Sequence, residues 1–220
     1  MILLIDEYDT PIQAGYLNGY YDDMVEFMRN FLSGGLKDNP HLEKGVLTGI
    51  MRVAKESILS GLNNPSVYTL LSHSFADKFG LTESETKQIL KDFQVEDCYQ
   101  GINEWYNGYI YGDVVIYNPW SIINYLHNPA DGFKPYWLHT SDNVIVEQLL
   151  TRGGTELKKE LERLIAGGSV EKPIEENIVF RAIEQRDDLL WSFLLFGGYL
   201  KYLSYRVDPN TDKQYYRLAI

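Results

Sequence analysis

The sequence predicts an α/β fold in which a parallel sheet with helices precedes a smaller helical or winged-helix-like subdomain. Over roughly the first 125 residues, short apolar runs alternate with helical patterns, which is typical of a parallel sheet. The last roughly 80 residues indicate helices followed by a β-hairpin. A segment rich in Gly and Pro, 127–135, lies between the two parts and predicts domains over 1–126 and 136–220.

The first 71 residues contain three candidate strands and a helix. The continuously apolar run 2–5 predicts a strand buried in a parallel sheet. The run 45–50 is expected beside it, and 67–71 is a third candidate strand. Between the first two, residues 16–32 predict a helix. Its apolar residues at helical spacing are Tyr20, Met24, Phe27, Met28 and Phe31.

Capping residues predict where two further helices begin. Thr82 and Glu85 have the spacing of a capping box, and they precede a short helical pattern. Asn118 follows an apolar strand and precedes Pro119, which is the usual order of an N-cap residue and the first helical position.

The second part predicts three helices and a hairpin. Helical patterns cover 141–153 and 155–168, and the second ends at a Gly pair. The apolar stretch 187–197 predicts a buried helix. The segment 198–220 predicts two strands around a polar turn at 208–213.

Composition limits the classes of function. The net charge is −11 and no basic run occurs, so nucleic acid is not supported as the main partner of this chain. The single cysteine, Cys98, excludes an internal disulfide, and no Cys/His cluster with metal-ligand spacing is present. No apolar run is long enough to span a bilayer, and no signal-peptide pattern occurs. We therefore expect a cytoplasmic protein without membrane partners.

Asp6 and Glu7 directly follow the first candidate strand, at the position where open parallel sheets place catalytic groups. One interpretation is nucleotide hydrolysis, in which the Asp helps to hold Mg²⁺ and the Glu activates water. An aspartyl-phosphate mechanism fits poorly, because Tyr8 occupies the position where a second Asp is usual. Paired carboxylates of a glycosidase would require more strands. The acids could also simply form a turn before Pro11.

The second candidate strand carries polar residues that fit the nucleotide interpretation. Thr48 lies at its end and could contact a phosphate or the attacking water, and Arg52 could stabilise charge that develops on the transferred phosphoryl group. The alternatives are a strand-end hydroxyl bonded to backbone and an arginine in a surface ion pair.

Four stretches occur in the order that one protein family shows. They are "LIDEYDTPI" at the start, "LTGIMRVAKESILSGLNN" at 47–64, "WYNGYIYGDVVIYNPWSIINYL" at 105–126 and "LLWSFLLFGGYLKY" at 189–202. Together they resemble the bacterial and archaeal AAA-ATPase-like family, whose members are often fused to a C-terminal PD-(D/E)XK nuclease-like domain. The resemblance covers nearly all of the chain.

The resemblance implies a P-loop NTPase core of the AAA kind with a winged-helix-like segment after it. It places Walker B on Asp6 and Glu7, with Asp6 on the metal side and Glu7 as the catalytic acid. It implies a sensor role for Thr48, and it makes Asn63 and Asn64 candidate nucleotide-binding residues. From the residues alone, two adjacent asparagines near a glycine indicate a turn.

The resemblance also implies parts that the 220 residues do not contain. The phosphate-binding G-x-x-x-x-G-K-[ST] loop and the nuclease-like domain are both missing from the sequence. Mg²⁺ and ATP are expected at the intact family site, but without that loop we expect no useful ATP affinity for this chain alone. The chain is then the distal portion of an ATPase, or alternatively a non-catalytic interaction module derived from one.

A sheet that lacks its upstream strands should expose an edge or an apolar face. Such surfaces promote association. We therefore expect that the chain either rearranges or forms a homo-oligomer through this surface.

Overall fold

The structure is a computed structural model that describes residues 1–50, 58, 62, 65–136, 144–177, 186 and 188–220. The helices are α1 (Thr10–Asn18), α2 (Tyr21–Leu36), α3 (Glu83–Asp92), α4 (Tyr99–Tyr106), α5 (Pro119–His127), α6 (Val144–Arg152), α7 (Thr155–Ile165) and α8 (Leu189–Phe196). The strands are β1 (Ile2–Ile5), β2 (Lys44–Leu47), β3 (Leu81–Thr82), β4 (Asn107–Tyr111), β5 (Val114–Tyr117), β6 (Val170–Pro173), β7 (Lys201–Val207) and β8 (Gln214–Ala219). Short 3-10 turns cover Glu96–Cys98 and Pro129–Asp131.

The first two strands form the parallel pair that the sequence predicts. Their register pairs Ile2 with Lys44 and Ile5 with Leu47, and α1 and α2 form the crossover between them. Because a parallel pair cannot be closed by a tight turn, this helical crossover is what the topology requires. The carboxyl ends of both strands therefore lie at the same edge of the sheet.

Within the part of the chain that the structure describes, only one face of this sheet is covered, so the prediction of a strand buried in the sheet is wrong. Ile2 is 60% exposed and Leu4 is 71% exposed, whereas Ile5 packs against the core that α2 helps to form. Side chains alternate between the two faces of a strand, so the face without helices presents its apolar side chains to solvent. The expected exposed apolar face is confirmed.

The helical region after β1 is two helices rather than one. α1 ends before Gly19, whose φ of +80° is a left-handed conformation that suits glycine at a helix C-terminus. α2 then begins at Tyr21.

The apolar face predicted for this region is largely wrong. Tyr20, Phe27 and Phe31 are exposed, and only Met28 of the predicted set is buried. The buried residues are Tyr21, Val25, Met28 and Leu32. Both sets have helical spacing, so periodicity alone does not distinguish them and packing against the rest of the chain decides which faces inward.

A second sheet, in the order β3-β5-β4, is antiparallel throughout. The parallel sheet predicted for the first 125 residues is therefore limited to β1 and β2 in the described part of the chain. β4 and β5 are joined through Gly112 and Asp113, and a connection this short forces an antiparallel hairpin.

The predicted caps of the middle region are confirmed. Thr82 and Glu85 form a reciprocal capping box at the start of α3. The Asn118 side chain accepts a hydrogen bond from the Ser121 amide, and Pro119 opens α5. These local interactions fix where the two helices begin.

The third candidate strand, 67–71, is irregular, so this prediction is wrong. The Thr69 amide donates to Ser72 Oγ at 3.0 Å, and the Leu71 amide donates to Thr69 Oγ1 at 3.3 Å. These bonds satisfy the two backbone amides locally, so the segment forms a turn and does not pair as a strand.

The helices and the hairpin predicted after residue 140 are confirmed in α6, α7, α8, β7 and β8. β6 joins the hairpin to give an antiparallel sheet in the order β6-β8-β7. All residues from Leu189 to Leu195 in α8 are buried, as the apolar stretch predicts.

Two apolar cores hold the described part together. One joins buried residues of α1 and α2 to those of α6, α7, α8 and the β6-β8-β7 sheet, and the other is formed by residues 90–136. The division into domains at 1–126 and 136–220 stays a prediction. None of the helices in the described part combines the length and apolar character that crossing a membrane requires.

Burial raises the pKa of Tyr216, on β8, to about 12. Because this pKa lies above the ordinary value of about 10, the neutral phenol stabilises the fold fully below pH 10. That stabilisation is lost as the pH rises towards 12. At pH 11.5 we expect the wild-type protein to lose about 2 kcal/mol more stability, relative to pH 8, than Tyr216→Phe loses. Urea unfolding of both proteins at the two pH values measures this, and equal losses would contradict it.

Candidate functional site

The candidate site lies where β1 and β2 end. The Thr48 amide donates to the Ile5 carbonyl at 2.9 Å, and the Tyr8 amide donates to the Thr48 carbonyl at 2.9 Å. The hydrogen bonding between the two segments therefore continues beyond both strands. It holds the residues that follow β1 beside Thr48.

Thr48 connects the two predicted acids. Its hydroxyl donates to Asp6 Oδ1 and accepts a hydrogen bond from the Glu7 amide at 3.3 Å. The structure thus brings together Asp6, Glu7 and Thr48, although they come from strands separated by some forty residues of chain. Asp6 and Glu7 are exposed.

Glu7 has an unusual backbone conformation. Its φ of +56° lies in the left-handed region, which costs a residue with a side chain on the order of 1 kcal/mol. Its side chain accepts a hydrogen bond from Thr10 Oγ1 at 3.3 Å. Backbone strain of this kind concentrates at functional sites, where the surrounding structure maintains it. The sharp turn after Asp6 leads the chain directly into α1.

The oxygen ligands of the site suit a magnesium ion that keeps most of its water. Asp6 and Glu7 provide carboxylates and Thr48 a hydroxyl, which are hard donors of the type that Mg²⁺ prefers. Among the described residues, no group of three or more His, Cys, Asp or Glu side chains could hold a metal ion. An all-protein metal cage is therefore not formed there. Mg²⁺ is usually bound by one or two carboxylates together with water and substrate phosphates, so the residues present fit that ion.

Three predicted site residues lie outside the described residues. They are Arg52, Asn63 and Asn64. Their predicted roles stay predictions.

Asp9 is a residue of the site region that the sequence analysis did not single out. It is fully buried, and its Oδ2 accepts a hydrogen bond from Gln13 Nε2 at 3.0 Å. A Cβ added at Gly49 would lie 2.4 Å from Asp9 Oδ1, so the segment after β2 packs directly on this carboxylate. The sequence does mark Asp9, because an acid two residues before a proline is common at the start of a helix. That pattern, however, predicts an N-cap residue and not a buried carboxylate. The Asp9 side chain makes no capping bond to α1.

The fold and the site define an α/β protein with a cluster of two acids and a threonine at the carboxyl edge of a parallel strand pair. Residues 1–59 match the sequence model of the AAA-ATPase-like family, which is described as a predicted AAA-ATPase. This segment, which contains Asp6, Glu7 and Thr48, is similar to that family. The predicted resemblance is thereby confirmed for residues 1–59.

A curated relative extends the similarity beyond that segment. A protein of Azotobacter chroococcum mcd 1, described as an uncharacterized protein in the vnfD 5' region, is 25% identical over 201 residues. The alignment covers 91% of this chain and 36% of the relative. The chain thus spans about a third of the length of the relative. No solved structure matches this chain.

Proposed function

We propose that the carboxyl ends of β1 and β2 form the acidic half of an ATP-hydrolysing site of the AAA kind. One observation carries this proposal. Asp6 and Glu7 follow one parallel strand, Thr48 follows its neighbour, and hydrogen bonds connect all three. The match of residues 1–59 to the AAA-ATPase-like family supports the same assignment.

Each residue has a distinct role in this proposal. Asp6 would hold the water shell of Mg²⁺, and the Thr48 hydroxyl orients the Asp6 carboxylate by donating to it. Glu7 orients the attacking water and accepts its proton. The bound metal would neutralise charge on the phosphate oxygens. Arg52 would stabilise charge that develops during transfer, and Asn63 and Asn64 would contact the nucleotide.

The proposal requires a phosphate-binding loop from outside the 220 residues. Backbone amides and the lysine of such a loop provide most of the contacts to the phosphates, and the sequence contains no G-x-x-x-x-G-K-[ST] motif. We propose that the complete protein provides it, in a P-loop NTPase core that precedes a winged-helix-like part formed by α6 to β8. The proposed location is the cytoplasm.

Titration with Mg²⁺ and ATP tests this arrangement. The protein translated from the complete reading frame should bind ATP saturably, and Asp6→Asn should weaken the Mg²⁺ dependence of that binding. The 220-residue chain should show no saturable binding. Saturable binding by the 220 residues that Asp6→Asn does not change would contradict the proposal.

A second candidate function is a non-catalytic interaction module that associates with a second copy of the chain. The observation that favours it is the open face of the β1–β2 sheet. Ile2, Leu4 and Val46 are exposed there, and neither outer edge of the pair has a further strand within the described ranges. Exposed edges and apolar patches of this kind promote association between chains.

The oligomeric state of the chain tests this second candidate. We expect light scattering to show an oligomer whose mass falls on dilution over about a hundredfold range of concentration. Leu4→Glu should give a monomer, because it places a charge on the apolar face. Leu203→Glu is the matched control, because Leu203 is also exposed but lies on β7. A wild-type monomer at all concentrations would exclude the interaction-module proposal.

A further inference from the structure

A groove of about 410 Å³ lies on the outer face of the β6-β8-β7 sheet. Its position is distinct from the acids that follow β1. Residues of all three strands and of the last turn of α7 line it. The lining residues are Arg163, Ser169, Val170, Glu171, Ser204, Tyr205, Arg206, Tyr215 and Arg217.

The register of the sheet concentrates polar groups on this face. Arg217 of β8 is paired with Glu171 of β6 on one side and with Ser204 of β7 on the other. Tyr215, two residues earlier on β8, is paired with Arg206. Because residues two apart share a face of a strand, Arg217 and Tyr215 lie on the same side of the sheet. The buried neighbours Tyr216 and Leu218 occupy the opposite side.

The groove contains more positive than negative charge. Three arginines line it, and its one acid, Glu171, forms an ion pair with Arg206. Arg163 and Arg217 have no carboxylate within ion-pair distance among the described residues. The Nε atom of Arg217 donates to Ser169 Oγ at 2.8 Å, which fixes the guanidinium on one side. Within the described ranges, two guanidinium groups of the groove are therefore free of direct ion pairs, in a protein of net charge −11.

An aromatic ring provides an apolar surface beside these charges. The Arg206 guanidinium carbon lies 4.8 Å from the centre of the Tyr215 ring, in a cation–π contact. Tyr205 is paired with Tyr216, and the centres of their rings lie 5.7 Å apart, so the Tyr205 ring belongs to the opposite face. The arginines, the serine hydroxyls and the Tyr215 ring together provide donors for an anion and a surface for a group attached to it.

We propose that this groove binds a compact phosphate-bearing ligand. Arg163 and Arg217 would contact the phosphate oxygens, since the planar guanidinium group matches phosphate geometry with two parallel hydrogen bonds. The hydroxyls of Ser169 and Ser204 would complete the set of donors. The net charge of the chain would repel a long polyanion more than a single phosphate group. This proposal does not depend on the ATPase proposal.

Isothermal titration of the chain with inorganic phosphate and with AMP tests the site. We expect saturable binding of both probes. Arg217→Gln should weaken binding about tenfold or more, because it removes charge-assisted hydrogen bonds. Arg163→Gln, a change on α7 rather than on β8, should weaken it similarly. Lys213→Gln is the matched control, since it removes one positive charge from the hairpin turn outside the groove, and it should change affinity less than about twofold.

Three probes, inorganic phosphate, AMP and an oligonucleotide, distinguish the possible sources of the phosphate group. Tighter binding of AMP than of phosphate supports a nucleotide, and equal binding supports phosphate without a contribution from Tyr215. A single-stranded dT12 oligonucleotide provides the long polyanion. The proposal is overturned if neither small probe binds saturably, if the arginine variants and Lys213→Gln behave alike, or if only the oligonucleotide binds. Thermal unfolding of each variant shows whether it is folded.

Discussion

Replacement of Glu7 by glutamine is expected to lower ATP turnover by the complete protein about a hundredfold or more, because general-base catalysis contributes on that scale. Glutamine has nearly the same size and can accept the hydrogen bond that Thr10 donates to Glu7. It cannot accept a proton from water. ATP affinity should therefore remain within a few-fold of the wild-type value while the turnover number falls. Steady-state hydrolysis and equilibrium ATP binding, measured on the same preparations, separate these two effects.

A matched variant at the other end of the same strand pair controls for charge. Glu43 is exposed and precedes β2, and its amide donates to the Met1 carbonyl at 2.9 Å. Glu43→Gln removes the same charge far from the carboxyl ends of the strands, so turnover should be unchanged. Full activity in Glu7→Gln, or equal losses in the two variants, would contradict the catalytic role of Glu7.

Leu32→Ala is expected to lower the free energy of unfolding by about 2–5 kcal/mol, because it opens a cavity in a packed core. Leu32 is 1% exposed and belongs to the core that joins α2 to α8. Phe31→Ala should cost about 0.5 kcal/mol or less, since Phe31 is 53% exposed. Phe31 does stack on Phe27, with ring centres 6.0 Å apart, but both rings are exposed.

The two variants test which apolar stripe of α2 faces inward. They differ by one position on one helix, so helix propensity contributes little to the comparison. Urea unfolding gives both free energies. A larger loss for Phe31→Ala than for Leu32→Ala would contradict the observed packing and favour the face predicted from periodicity.

Local signals in the sequence predict local structure well in this chain. The capping box at Thr82, the Asn118 cap and the apolar run of α8 each depend on residues near in sequence, and all are found. The hairpin at the polar turn 208–213 is found for the same reason. In each case the hydrogen bonds or the apolar pattern that determine the element lie within the segment itself.

Features that depend on distant packing were predicted less well. α2 has two apolar stripes, and the contact with α8 and its neighbours, which lies more than 150 residues away in sequence, determines which one is buried. The antiparallel pairing of β4 with β5 follows from the short connection at Gly112, a signal that the alternation of strands and helices obscured. Thr69 and Ser72 replace the expected third strand with a turn through side-chain hydrogen bonds.

The candidate site depends both on local signals and on distant packing. Its position could be predicted, because parallel strands place their carboxyl ends at one edge and the acids directly follow the apolar run. The positive φ of Glu7 and the hydrogen bond from Thr48 to Asp6 could not, because they depend on how the two segments leave the sheet. The burial of Asp9 beneath Gly49 also depends on that packing.

Paramagnetic broadening by Mn²⁺, in place of Mg²⁺, tests whether the acids after β1 belong to the nucleotide site. With ATP bound to the complete protein, Mn²⁺ should broaden the amide resonances of Asp6, Glu7 and Thr48, which are adjacent in the structure. Asp6→Asn should remove that broadening at the same Mn²⁺ concentration. If these three resonances stay sharp while ATP saturates the protein, the nucleotide site lies elsewhere and the acids after β1 do not serve it.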